Sequence, residues 1–175
     1  MEAQKELLDL QKELIAEYDR ETGSTRKLLE AIPDNVDFDW APHAKSMKLG
    51  KLASHVSDTA GSWAMHTLKL SRMEWTPEMN VQPASNKADL LARFDKEVAE
   101  AKPLLADMTP EKWEQNWKFV AGDQTWIDDT KYNVWRTWVL NHMIHHRAQL
   151  GVYLRLQGAT LPGMYGPSAD EMPPQ

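Results

Sequence analysis

The sequence predicts an all-α protein built as a four-helix bundle. Four long segments carry apolar residues at the three- and four-residue spacing of a helix face. The links between them are short and rich in proline, glycine, aspartate and asparagine. The fourth segment is apolar on nearly every side, which is typical of the central helix of a bundle. With 175 residues and 42% hydrophobic content, the chain fits a single domain over residues 1–175.

The first helix is predicted over residues 3–31, where leucines and other apolar residues recur at helical spacing. Pro33 stops it, because proline lacks the backbone N–H and clashes with the preceding turn. Residues 33–45 then form an extended connection, and Ser46 is the predicted N-cap of the next helix.

The second helix is predicted from Met47 to about Arg72, closed by Trp75-Thr76-Pro77. The third covers residues 86 to about 107 and is more polar. Pro103 lies near its end and is expected to kink it or to end it early.

A short helix is predicted to begin at Thr109-Pro110-Glu111, an N-cap residue followed by a first-turn proline and an acid that favours the helix dipole. It is expected to run through Trp117. Ala121-Gly122-Asp123 predicts a turn before Trp126, with a small hairpin as one way of building it.

The fourth long helix is predicted over residues 129–157, with Gly158 as its C-terminal stop. Two aspartates at its start favour the helix dipole. The tail from about residue 159 onward is rich in proline and glycine and is expected to be irregular.

Composition excludes several classes of function. The net charge of −6 and the lack of a basic tract argue against nucleic-acid binding. Without cysteine, a metal must be held by nitrogen and oxygen, and a reactive thiol must be brought in. No signal peptide and no membrane-length apolar stretch is found, so we expect a soluble cytoplasmic protein. Eight tryptophans and nine methionines suit an aromatic-lined cavity or an ordinary helical core.

His142 and His146 are the main functional signal of the sequence. Four-residue spacing on a helix leaves them about 40° apart in direction and about 6 Å apart along the axis. Two neutral imidazoles held this way can share one divalent metal, although a buried histidine can also simply form hydrogen bonds. Large aromatic and amide side chains are expected within about 40° of His142. They are Trp135, Trp138, Gln149 and Tyr153.

A third ligand has to come from another histidine or from an acid. His145 points about 100° away from His146, and His66 lies about 16 Å beyond His55 along the second helix. His55 is preferred, because a residue early in the second helix meets the matching level of the fourth if the two helices pack together. His43 is expected to be an exposed loop residue.

For three other polar residues, a structural role is preferred over a catalytic one. Asp58 could be a hydrogen-bond partner of a metal ligand or an ordinary surface acid, and we favour the surface acid. Arg147 is expected to pair with an acid or with the tail. Gln149 could contact substrate or a metal-bound water, but buried amides more often satisfy a neighbouring helix.

Three motifs in order along the chain carry a family resemblance. They are residues 49–55 (LGKLASH), residues 142–150 (HMIHHRAQL) and residues 158–171 (GATLPGMYGPSADE). With them the chain resembles the DinB family, the damage-inducible, YfiT-like metalloenzymes, over essentially its whole length. The family's fourth-helix motif often reads His-Arg-Gly-Gln, whereas Ala148 stands here in place of the glycine.

The resemblance implies an up-down-down-up four-helix bundle that forms a homodimer. It also implies a divalent metal bound by His55, His142 and His146. Three neutral imidazoles without a thiolate suit Zn²⁺ or Ni²⁺ and leave at least one coordination position open.

Characterised relatives in this superfamily include transferases and isomerases that use a low-molecular-weight thiol. The resemblance therefore implies a thiol-dependent S-transferase for small electrophiles in stress response or detoxification. A metal-dependent hydrolase is the other enzymatic possibility. The alternatives are a non-catalytic metal-binding stress protein with a structural or regulatory site, and a helical dimer without a metal.

Overall fold

The computed structural model describes residues 9–79 and 82–173, and these residues are mostly helical. Seven α-helical segments follow in chain order: α1 Leu10–Glu30, α2 Leu49–Ala60, α3 Ser62–Lys69, α4 Lys87–Ala106, α5 Pro110–Trp113, α6 Lys131–Val134 and α7 His142–Leu156. A π-helical segment, Trp135–Asn141, joins α6 to α7. Three strands complete the fold: β1 Arg72–Glu74, β2 Asn116–Ala121 and β3 Gln124–Thr130.

The first helix agrees with the sequence from Leu10 onward, and the predicted stretch 3–8 lies outside the described residues. Asp9 caps it by accepting a hydrogen bond from the Lys12 N–H at 3.2 Å. The prediction of Ser46 as the next N-cap is wrong, because α2 begins after Lys48 and has no side-chain cap.

Carbonyls of the preceding loop take the place of that cap. The N–H groups of Leu49 and Gly50 donate to the carbonyls of Trp40 and Phe38, at 2.8 and 2.9 Å. The connection therefore folds back over the start of α2, and a side-chain cap is not needed there.

The second predicted helix is broken at Gly61 into α2 and α3. Glu97 of α4 accepts a hydrogen bond from the Ser62 N–H at 3.1 Å, which satisfies a free donor at the start of α3. A Cβ at Gly61 would clash with the Glu97 side chain. The break therefore lets α4 approach closely, and this contact could not be seen in the local pattern.

Gly61→Ala is expected to destabilise the protein by about 1–3 kcal/mol, because the added methyl group overpacks against Glu97. Gly23→Ala in α1 is the matched control, since nothing lies within 4 Å of the added Cβ. That control should stabilise by about 0.5–1 kcal/mol through the better helix propensity of alanine. Urea denaturation of both variants measures the difference, and equal effects would contradict the assigned contact.

A three-stranded sheet corrects the all-α prediction. Strand β1 pairs in parallel with β2, and β2 pairs antiparallel with β3 through a turn in which Gly122 has φ +55°. Trp117 and Phe119 alternate inward on β2 and build a small second core with Met73 of β1. The predicted short helix consequently ends at Trp113, and residues 72–74 belong to the sheet rather than to a helix.

The third and fourth long helices largely agree with the sequence. Pro103 lies in the last turn of α4 and does not end it before Ala106. The fourth helix begins after Thr130 and not at residue 129, because residue 129 belongs to β3. The hydroxyl of Thr130 caps the helix by accepting a hydrogen bond from the Asn133 N–H at 3.3 Å. Gly158 follows the helix with φ +76°, as predicted.

The main core lies where α2 packs against α7 and where α4 packs against α1, α2 and α3. The tail is irregular, as expected. Among the described residues, no helix combines the length and the apolar character required to cross a bilayer.

Candidate metal centre

The packing of α2 on α7 brings His55, His142 and His146 together. One nitrogen from each ring lies within 4.8 Å of the other two. The Nε2 atoms of His55 and His142 are 3.2 Å apart. With metal–nitrogen distances of about 2.0–2.1 Å, two ligands of a tetrahedral site lie about 3.3 Å apart, so the pair has the spacing of metal ligands.

The other histidines lie outside this cluster. His145 is exposed on the next face of α7, as the helical spacing predicts. His43 is an exposed loop residue, and its Nδ1 accepts a hydrogen bond from the Lys45 N–H at 3.1 Å. His66 lies on α3, beyond the break at Gly61.

Burial keeps the three rings neutral. It lowers the pKa of His55 to about 4, with smaller contributions from His146, His142 and Lys51. Burial is also the main cause that lowers the pKa of His142 and of His146. Neutral imidazole is the form that binds a metal, so these rings are in the ligating state at neutral pH.

Gln149 sets the tautomer of His146. Its Oε1 lies 2.7 Å from the Nδ1 of His146. A carbonyl oxygen only accepts, so Nδ1 carries the proton and Nε2 is free for a metal. Gln149 lies on the face of the fourth helix that the spacing predicts, but its bond to His146 was not predicted. Its three-residue spacing from His146 on one helix was the available signal.

In the described part of the chain, His142 lacks the kind of hydrogen bond to its Nδ1 that Gln149 gives to His146. Its Nδ1 is buried without a hydrogen-bond partner among the described residues. The backbone carbonyl of Trp138 raises its pKa, opposing burial, but no hydrogen bond of ordinary geometry joins the two.

The aromatic stripe predicted along the fourth helix is only partly present. Trp138 packs edge-on to His142, with ring centroids 5.9 Å apart, and Tyr153 packs against Trp40 at 5.7 Å. Trp135 instead is 0% exposed and packs against Tyr18 in the core. A π-helical turn holds more residues than an α-helical turn, so each residue before His142 is rotated less than the prediction assumed.

A cavity of about 450 Å³ opens beside His146. It lies between the loop before α2, α2 itself and the outer face of α7. Its lining residues are Lys45, Ser46, Met47, Leu52, His146, Gln149, Val152 and Tyr153. The lining is apolar apart from one ammonium, the hydroxyls of Ser46 and Tyr153, one amide and the imidazole, and it contains no carboxylate.

Two charged residues close to the histidines in sequence have structural surroundings of their own. Arg147 pairs with Glu21 at 2.7 Å and also donates to the hydroxyl of Tyr165 at 2.6 Å, so it contacts both an acid and the tail. Asp58 is half-buried near Glu97, and burial raises its pKa to about 6. Its carboxylate makes no hydrogen bond to His55 among the described residues.

The sequence matches the DinB family over residues 3–175. No curated protein gives a significant match. A DinB-like protein from Bacillus cereus ATCC 10987 has a similar structure, with a TM-score of 0.66 and 22% identity over 88% of this chain and 97% of that one. The DinB-like protein YjoA from Bacillus subtilis gives a TM-score of 0.66 and 20% identity, covering 89% and 99%.

YfiT from Bacillus subtilis is similar as well. Its TM-score is 0.64, with 14% identity over 91% of this chain and 94% of that one. YfiT is described as a probable metal-dependent hydrolase with an unusual four-helix bundle topology. At these identities the likeness shows the fold, while the family match extends over nearly all of the sequence. The chain therefore belongs to the DinB family.

Proposed function

We propose that this protein binds a divalent metal, Zn²⁺ or Ni²⁺, through His55, His142 and His146, and acts as a thiol-dependent S-transferase on small electrophiles. The convergence of three neutral imidazoles beside an open cavity is the observation that carries the proposal. Three protein ligands leave a coordination position for an incoming group, as in catalytic rather than structural sites.

A bound divalent cation would lower the pKa of a thiol or a water in its open position. The protein's own residues then act by positioning. Gln149 holds the ring of His146 in the ligating tautomer, and Met47 and Leu52 keep water from one wall of the cavity. In the transfer, the thiol sulfur bonds to the electrophilic carbon, the leaving group departs, and the thiol proton passes to solvent.

The lining of the cavity favours a thiol over water as the nucleophile. Metal-dependent hydrolysis of amides commonly uses a carboxylate as general base for the water, and no carboxylate lines this cavity. A metal-bound thiol is deprotonated outright, whereas a zinc-bound water keeps a pKa of about 7, so the thiol depends less on such a base. The description of YfiT keeps a hydrolase as the second candidate.

The test compares thiol transfer with hydrolysis on the same preparation. Zn²⁺-loaded and Ni²⁺-loaded protein is incubated with 1-chloro-2,4-dinitrobenzene and a panel of thiols, and separately with a p-nitrophenyl ester. Faster thiol consumption than in His55→Ala supports the transferase. Ester hydrolysis without thiol transfer supports the hydrolase. If neither rate exceeds that of His55→Ala, a non-catalytic metal-binding stress protein is favoured.

The affinity for Zn²⁺ is expected to fall by about tenfold or less between about pH 7.5 and about pH 5.5, because the lowered pKa values keep the three rings neutral. If the three imidazoles had ordinary pKa values of about 6.5, the affinity for Zn²⁺ would fall about a thousandfold over the same pH range. Competition with a chromophoric chelator at each pH measures the change. A loss near a thousandfold would show that the rings are not buried as described.

The homodimer and the up-down-down-up order of the helices are proposed on the family resemblance.

A further inference from the structure

The charge at the candidate metal centre differs from that of the whole chain. The chain carries a net charge of −6. Three neutral imidazoles add no negative charge to a divalent cation, and the adjoining cavity is lined by one ammonium group and no carboxylate. A bound metal would therefore keep its two positive charges, with a third nearby. Such a site attracts anions more strongly than neutral molecules.

Lys45 is the residue with an ammonium group among those that line the cavity, and it is exposed. Lys48, three residues later, is paired with Asp39 at 2.6 Å. Within the described residues, no carboxylate oxygen lies within 4.0 Å of the Lys45 ammonium. Lys45 is thus a positive charge without a negative partner of its own in this part of the chain.

The backbone at Lys45 is held in place by the loop. The Lys45 N–H donates to the Nδ1 of His43 at 3.1 Å, and the Ser46 N–H donates to the carbonyl of His43 at 2.9 Å. Both bonds hold the loop backbone at Lys45, which lines the cavity. His43, which is not part of the metal cluster, thereby positions the chain that carries Lys45.

Between Lys45 and His146 the cavity offers an apolar surface. Met47, Leu52 and Val152 contribute it, and Ser46 and Tyr153 each add a hydroxyl that can donate. A ligand that fits has one group at the metal, an apolar middle part and an anionic group at Lys45. One lysine and two hydroxyls suit a carboxylate, whereas phosphate sites commonly add an arginine fork or a row of backbone N–H groups to a lysine.

We propose that the substrate of this site carries a carboxylate, separate from the group that meets the metal, and that Lys45 binds it. This inference rests on the proposed function, because it takes the cavity beside His146 as the substrate site. Lys45 is assigned a role in specificity and not in the chemical step.

The test uses linear dicarboxylates from glutarate to azelate, each compared with the monocarboxylate of the same chain length. Binding to Zn²⁺-loaded protein is measured by isothermal titration calorimetry, with metal content determined before and after. One carboxylate can meet the metal in both series, and only the dicarboxylate has a second for Lys45. The best dicarboxylate is expected to bind about fivefold more tightly than its monocarboxylate, with a smaller ratio at high salt.

Variants of Lys45 test whether this residue causes the ratio of dicarboxylate to monocarboxylate affinity. Lys45→Gln should reduce the ratio to about two, because either end of a dicarboxylate can meet the metal. Lys45→Arg should keep the ratio, and Lys45→Glu should lower it below about two. Lys96→Gln is the matched control, because Lys96 is exposed on α4, does not line the cavity and changes the total charge equally. It should leave the ratio unchanged.

The outcomes separate this inference from the proposed function. No advantage of any dicarboxylate in the unmodified protein, or an equal advantage in Lys45→Gln, overturns the role of Lys45 and leaves the metal site standing. Failure to retain Zn²⁺, or failure of both series to bind to metal-loaded protein, overturns the proposed function and this inference with it.

Discussion

Replacing His142 with alanine is expected to lower the affinity for Zn²⁺ by more than about 100-fold. Loss of a residue that only orients a metal ligand typically costs about 10–100-fold, and His142 is assigned as a ligand itself. Its Nε2 lies 3.2 Å from that of His55, so no described side chain can take its place without moving. Competition with a chromophoric chelator measures the affinity, and thermal denaturation without metal confirms that the variant folds.

His145→Ala is the control for this variant. It removes an imidazole from the adjacent position of α7, where the ring is exposed and outside the cluster. Its affinity for Zn²⁺ should stay within about twofold of the unmodified protein, because His145 supplies no ligand atom, although its ring packs edge-on to His146 with centroids 4.8 Å apart. The affinity of Gln149→Leu for Zn²⁺ should lie between those of the two variants, about 10–100-fold below that of the unmodified protein. Unchanged binding by His142→Ala would rule out the three-histidine site.

Replacing Arg147 with alanine is expected to destabilise the protein by about 3–5 kcal/mol, since it leaves a buried carboxylate without a partner. The side chains of Arg147 and Glu21 are 2% and 5% exposed and lie 2.7 Å apart. Arg147 also donates to the backbone carbonyl of Glu21 and to the hydroxyl of Tyr165, so its loss removes one contact of the tail as well. Urea denaturation measures the change.

Arg155→Ala is the matched control. Arg155 also projects from α7 and binds the tail, but its pair with Asp170 is 45% and 25% exposed. Water can replace much of that interaction, so the expected loss is at most about 1 kcal/mol. A loss equal to that of Arg147→Ala would contradict the role assigned to burial. Combining Arg147→Met with Glu21→Leu should recover part of the lost stability, because no buried charge then remains unpaired.

Local information accounts for most of what the sequence predicted correctly. The long helices follow from apolar spacing, and the caps at Thr109 and Gly158 follow from residue type. The pairing of His142 with His146 follows from helix geometry, because four residues along a helix are always neighbours. The exclusion of His145 has the same origin.

Predictions failed where distant segments meet. Strand β1 pairs with β2, which comes much later in the chain, so no local pattern at residues 72–74 could show the sheet. The break at Gly61 depends on Glu97 of another helix. The wrong placement of Trp135 came from assuming an α-helix through the π-helical segment.

The sequence by itself therefore determined the helices and the histidine pair, since both depend on residues within one or two turns of each other. The expected packing of the second helix on the fourth, together with the family resemblance, added His55. Only the tertiary structure decided the level at which α2 meets α7, and with it the distance from His55 to the pair. It also decided that Lys45 lies on the same cavity as His146 without a described acid to neutralise it. Register and charge pairing between elements depend on side-chain packing across the whole core, which no single segment encodes.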